Sequence, residues 1–167
     1  MNFTCGCLYK KQTEPHFKKS KHFEDLSASF AINAKNEKLG AHYSWLVQMH
    51  KLVNTKEPYI EATFDNPSDR SRPIIVPAIK VENQDIENKF QYPRYYVLSP
   101  NIDNLDCGLY KMKLTAYSDK SKSKVLAEHE NEILSRINTT ECTKTEFMEK
   151  MSAAARQVEQ EEWKKVQ

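Results

Sequence analysis

Short apolar runs with a period of two dominate the middle of the chain. Between Leu109 and Tyr117, Tyr110, Met112, Leu114 and Ala116 alternate with Lys111, Lys113, Thr115 and Tyr117. One face is apolar and the other mainly polar, which is the spacing of a half-buried strand. Tyr43, Trp45, Val47 and Met49 repeat that spacing within His42–Val53. Leu46 and Leu52 break the alternation and leave a helix open there. Tyr, Trp and Val favour a pleated surface, so a strand is expected.

Further strands follow from the same reasoning. Ile60, Ala62 and Phe64 share one side of Tyr59–Phe64, which ends in the turn-forming run Asp65-Asn66-Pro67-Ser68-Asp69. Pro73 to Val81 is rich in β-branched residues, but its prolines cannot donate to a ladder, so an edge strand or a bulge is expected. Gln91 to Leu98 carries Tyr92, Tyr95, Tyr96 and Val97, and Ser29 to Asn33 places Phe30 and Ile32 on one face. Val125 to Ile137 suits a helix through Leu126, Ile133 and Ile137. It also follows the polar, lysine-rich turn Ser118–Lys124, and a returning strand is the expectation.

The pattern changes at both ends. Residues 1–26 are polar, basic and broken by Pro15, which predicts a flexible tail. At the other end, Thr143 and Glu146 have capping-box spacing, and Phe147, Met151, Ala154 and Val158 form a helical stripe. Glu161 and Glu162 interrupt its continuation. The expected layout is a tail over 1–26, an antiparallel sandwich of about seven strands over 27–138, and a helix over 143–167. No apolar run approaches the roughly 20 residues needed to span a bilayer.

Composition narrows the functional classes. The chain has 167 residues, 39% of them hydrophobic, enough for a core. With 25 basic and 23 acidic residues the net charge is +2, which gives the domain as a whole no electrostatic pull on nucleic acid. The charge is uneven, however, and Lys10, Lys11, Lys18, Lys19 and Lys21 give the tail a basic surface suited to nucleic-acid contact. Only three glycines occur, Gly6, Gly40 and Gly108, and they spell no phosphate-cradling loop. His129-Glu130-Asn131-Glu132 lacks the second histidine of a zinc-protease motif. No catalytic residue is assigned and no cofactor is expected.

Four cysteines, Cys5, Cys7, Cys107 and Cys142, are sparse for a disulfide scaffold. Met1 to Lys11 lacks the apolar stretch of a signal peptide, so reduced thiols in the cytosol or nucleus are expected. The sequons Asn2-Phe3-Thr4 and Asn138-Thr139-Thr140 argue weakly the other way. Cys5, Cys7, His16 and His22 are zinc-type ligands, but two cysteines one residue apart are tighter than the usual finger spacing, and free thiols are the simpler reading.

Leu105-Asp106-Cys107-Gly108-Leu109-Tyr110-Lys111-Met112, read as L-x-x-G-x-Y, resembles the start of the penultimate strand in many immunoglobulin-like sandwiches. The resemblance implies that Gly108 permits the turn and that Tyr110 packs at a corner and hydrogen-bonds backbone. It is a likeness of fold and transfers no activity. Trp45 has no flanking cysteine pair of the antibody type. Gly108 to Lys113 and Tyr117-Ser118-Asp119 are also similar to the last hairpin of the rho GDP-dissociation inhibitors. That likeness implies a lipid or prenyl group held between sheets, with Trp45, Phe64, Met112 and Leu114 as its lining.

The leading functional expectation is a non-catalytic protein–protein interaction module, a subunit or adaptor of a larger intracellular assembly. Its anchors would be Phe147, Met151 and Val158, with Trp163 as an outlying contact. Lipid carriage, and nucleic-acid contact through the basic tail, are the alternatives.

Overall fold

A computed structural model describes residues 6–7, 20–50, 57–82 and 92–166. Among these residues eight strands form two antiparallel sheets: β1 (Phe23–Lys35), β2 (Lys38–Met49), β3 (Tyr59–Phe64), β4 (Ile74–Pro77), β5 (Ile79–Lys80), β6 (Arg94–Leu98), β7 (Gly108–Tyr117) and β8 (Val125–Ser135). One helix, α1 (Lys144–Val166), follows. The first sheet has the order β1-β2-β6-β5 and the second β4-β3-β7-β8.

Each expected alternation buries the face assigned to it. Tyr43, Trp45, Val47 and Met49 of β2 meet Ile60, Ala62 and Phe64 of β3 and Tyr110, Met112, Leu114 and Ala116 of β7 in one core. Tyr43 stacks on Phe64 with ring centroids 4.4 Å apart, and Trp45 meets the same phenylalanine edge-on at 6.2 Å. The proline-bounded run works as expected of an edge. Ile74–Pro77 ends one sheet beside β3, the chain turns at Ala78, and Ile79–Lys80 ends the other beside β6. Val125–Ser135 is a strand, paired with β7 along its length.

Gly108 has φ +137°, a backbone region that side chains with a Cβ avoid, so the turn into β7 requires glycine. The Tyr110 hydroxyl donates to the Asp106 carbonyl at 3.0 Å and accepts from the Asp106 amide at 3.1 Å. The backbone hydrogen bond expected of Tyr110 is thus present.

Two expectations need correction. Residues up to 26 were assigned to a tail, yet β1 begins at Phe23, and Phe23 and Asp25 are buried. A register shift between Asp25 and Ser27 explains the discrepancy. Before it the odd-numbered residues face inward. After it Ala28, Phe30 and Ile32 do, so alternation counted from Phe30 misses the start.

The second correction concerns the thiols. Cys7 and Cys107 form a disulfide with Cα atoms 5.8 Å apart, and Cys142 is disulfide-bonded as well. Among the described residues no cysteine is free. Two residues distant by 100 positions meet because Cys7 lies along the end of β8, where Gly6 bridges Ile137 and the Cys7 amide donates to the Arg136 carbonyl. The reduced state on which a cytosolic or nuclear location was expected does not hold. No described helix is long and apolar enough to cross a membrane.

Candidate functional site

β1 and β8 are the edge strands of opposite sheets on the same side of the sandwich, and a groove runs between them. Its walls are Ala28, Phe30 and Ile32 from β1 and Ile133 from β8, with Ile137 beyond the strand end. The first turns of α1 add Phe147, Lys150 and Met151, and the groove encloses about 380 Å³. The bulge in β1 creates this wall, because it turns Ala28, Phe30 and Ile32 toward the opening. Phe30 also packs on Tyr43 and, edge-on, on Tyr110, so the groove floor is continuous with the core.

The helix begins as its sequence dictates. The Thr143 hydroxyl accepts from the Glu146 amide, and the Glu146 carboxylate accepts from the Thr143 amide, both at 3.2 Å. This is the reciprocal capping box that satisfies two otherwise orphaned donors. Glu37, in the β1–β2 turn, anchors the base: its carboxylate accepts from the Thr145 hydroxyl at 3.0 Å and its carbonyl from the Lys144 amide at 3.0 Å. Glu146 in the first turn and Lys164 and Lys165 in the last complement the helix dipole.

Beyond its base the helix covers none of the sandwich. Phe147 is half-buried, whereas Met151 is 54%, Val158 55% and Trp163 68% exposed. The four expected contact residues therefore share one helix, but only Phe147 and Met151 reach the groove. Met148, 55% exposed, belongs to the same apolar surface and was passed over by a stripe counted from Phe147.

A second cluster lies inside the sandwich. The Asp25 carboxylate of β1 accepts from Trp45 Nε1 at 2.5 Å, from Asn131 Nδ2 at 2.7 Å and from His129 Nε2 at 3.0 Å. Asp25, His129 and Asn131 are all at least 96% buried. Their strands belong to different sheets, so the cluster clasps one sheet to the other. The indole of Trp45 also stacks on the His129 ring at 6.0 Å. Burial closes these groups to any substrate, and three donors on one carboxylate supply the partners that a buried charge requires.

No family model, curated protein or solved structure matches the chain. The site therefore has to be read from its own chemistry.

The remaining candidates fall as follows. Lys21 is exposed, while Lys10, Lys11, Lys18 and Lys19 lie outside the described residues, as do Cys5 and His16. Cys7 is bonded to Cys107, so its sulfur is not a thiolate ligand for zinc. His22 is half-buried, and its carbonyl accepts from the His50 amide at 2.9 Å. Trp45, Phe64, Met112 and Leu114, expected around a lipid, are packed in the core at 1% exposure or less. The opening lies at the strand edges instead. Sequence reasoning missed Asp25, His129 and Asn131. Their only signal was position: His129, Asn131 and Ile133 alternate on the inward face of β8.

Proposed function

We propose that the protein is a non-catalytic interaction module that docks a partner protein through α1 and the adjoining groove. The observation that carries this reading is a 23-residue helix whose apolar side chains Met148, Val158 and Trp163 face solvent rather than its own sandwich, while Met151, 54% exposed, lies at the groove mouth. An isolated helix of this length, about 35 Å, gains little stability in water without tertiary packing. A partner presenting an apolar groove, or a second amphipathic helix, would supply that packing. Trp163 and the methionines are side-chain types suited to such anchors.

The body of the module fits an immunoglobulin-like sandwich. Lettered in chain order with β4 as an added strand, the sheets read A-B-E-D and C′-C-F-G, the connectivity of that architecture. The Tyr110 corner at the start of β7 supports the same assignment. Trp45 departs from it, since it lies on the second strand rather than the third.

The test is affinity purification of the full chain from its own cells, with mass spectrometry of what accompanies it. The wild type should recover a stoichiometric protein partner, and the variant Met151→Glu/Val158→Glu/Trp163→Ala should lose it while keeping wild-type near-ultraviolet dichroism. Equal recovery by both would sink the reading.

A second reading rests on the groove itself. Its 380 Å³ falls within the range of small-ligand pockets, and Ala28, Phe30, Ile32 and Ile133 offer apolar walls to one acyl or prenyl chain. Organic extraction of the purified protein decides it: a lipid retained by wild type and excluded by Ile133→Trp supports carriage, and an extract free of lipid removes it.

A further inference from the structure

We propose that Asn138 is an N-glycosylation site and that the chain is processed in an oxidising secretory compartment. The inference does not depend on the docking role of α1.

Three observations converge on one end of the sandwich. The first is the triplet Asn138-Thr139-Thr140, an acceptor sequence with no proline at its centre. The second is its placement. The triplet follows β8 on a surface turn, with Thr140 exposed and Asn138 partly so. The third is redox state: Cys107 beside this turn is bonded to Cys7, and Cys142, four residues past Asn138, is bonded too. Disulfides of this kind persist in the compartments where acceptor asparagines are modified.

The local geometry suits the chemistry. Asn138 Oδ1 accepts from the Thr140 hydroxyl at 2.5 Å and from the Thr140 amide at 3.0 Å. A hydroxyl donating to the amide oxygen draws electron density from the amide and makes its N–H a better proton donor. Asn138 Nδ2 carries two hydrogens, and one of them donates to the Asp106 carboxylate at 3.1 Å. The other is available for replacement, so a glycan can be attached without giving up the tie to Asp106.

The donor is an oligosaccharide linked through pyrophosphate to a lipid. In the transfer, Nδ2 attacks the anomeric carbon of the first sugar, and the new N–C bond forms as the C–O bond to pyrophosphate breaks. The lipid pyrophosphate leaves with the electron pair, and one proton passes from Nδ2 to a base of the transferase. Thr139 stays out of the reaction. It is 4% exposed, and its hydroxyl joins the Leu105 backbone, accepting from the amide at 3.1 Å and donating to the carbonyl at 3.3 Å. The middle residue therefore fastens the turn from below while its neighbours face outward.

The experiment uses full-length protein isolated from its own cells. Peptide N-glycosidase digestion in heavy-oxygen water should convert Asn138 to aspartate carrying the isotopic label, and non-reducing peptide maps should show Cys7 joined to Cys107. Thr140→Ser should keep the modification. Thr140→Ala, which leaves Asn138 in place, should abolish it, with the gel mobility shift of one glycan lost. Glycan on Asn138 of wild type and its absence from Thr140→Ala support the proposal. Unmodified Asn138 in protein whose disulfide is intact overturns it, and so does recovery of Cys7 and Cys107 as reduced thiols.

Discussion

The Asp25 carboxylate on β1 and Nε2 of His129 on β8 are 3.0 Å apart, at a point where neither side chain reaches water. Trp45 and Asn131 donate to the same two oxygens. Replacing Asp25 by alanine leaves an indole N–H, an amide N–H and an imidazole N–H buried without their acceptor. The expected cost is roughly 3–5 kcal/mol, the range for breaking a buried hydrogen-bonded charge cluster. Urea denaturation of Asp25→Ala against wild type measures it, and a loss below about 1 kcal/mol would mean that water replaces the carboxylate.

Alkaline pH should unfold the protein through its tyrosines. Burial raises the pKa of the Tyr43 phenol, with the nearby Asp65 charge adding to the shift, and burial likewise raises those of Tyr95 and Tyr110. In each case the folded state holds the phenolic proton more tightly than the unfolded chain does. Stability is therefore full below the unfolded tyrosine value of about 10 and is lost as pH rises above it. Melting temperatures across that range should fall steadily, and absorbance at the tyrosinate band should show these rings ionising together with unfolding. Ionisation of every tyrosine in protein that stays folded would contradict the burial argument.

The Cys7–Cys107 bond closes a loop of 100 residues. Chain-entropy reasoning gives about 4.7 kcal/mol for a loop of this size, and measured effects generally lie near 2–5 kcal/mol. Cys107→Ser should lower the urea midpoint accordingly while leaving the far-ultraviolet β-signature in place. An unchanged midpoint in the variant would indicate that the unfolded chain is already compact.

The capping box makes a local prediction. Thr143→Ala removes the acceptor for the Glu146 amide and should cost the helix about 1 kcal/mol. Because α1 covers none of the sandwich beyond its base, the loss should appear as faster amide exchange in the first turns of α1 and leave the sandwich melting temperature unmoved. A drop in that temperature would mean that α1 stabilises the body.

Local patterning carried much of the fold. β2, β3 and β7 could be read because each has one inward face that a period of two picks out locally, whereas β8 was read from its place after the Ser118–Lys124 turn. The helix was legible for a similar reason, since Thr143 and Glu146 satisfy each other's backbone amides within four residues. The corner at Tyr110 was legible because glycine and tyrosine act there over a span of five residues. On the proposed docking surface, the helical period identified Phe147, Met151 and Val158, with Trp163 outlying, but not that Val158 and Trp163 remain uncovered.

What only the tertiary structure decided involves groups distant in sequence or a break in the period. The bulge after Asp25 reverses which residues of β1 face inward, and no alternation rule anticipates its own interruption. Asp25 and His129 are 104 positions apart, and an acidic residue reads as surface until packing places three donors around it. Cys7 and Cys107 looked like isolated thiols because a disulfide depends on Cβ atoms brought face to face, a distance that spacing along the chain does not encode. The sequence by itself determined where the strands and the helix lie and, in β2, β3 and β7, which side is apolar. The packing of one sheet on the other decided where the polar clasp, the disulfide and the open groove lie, because each is made of residues that become neighbours only after the strands have met.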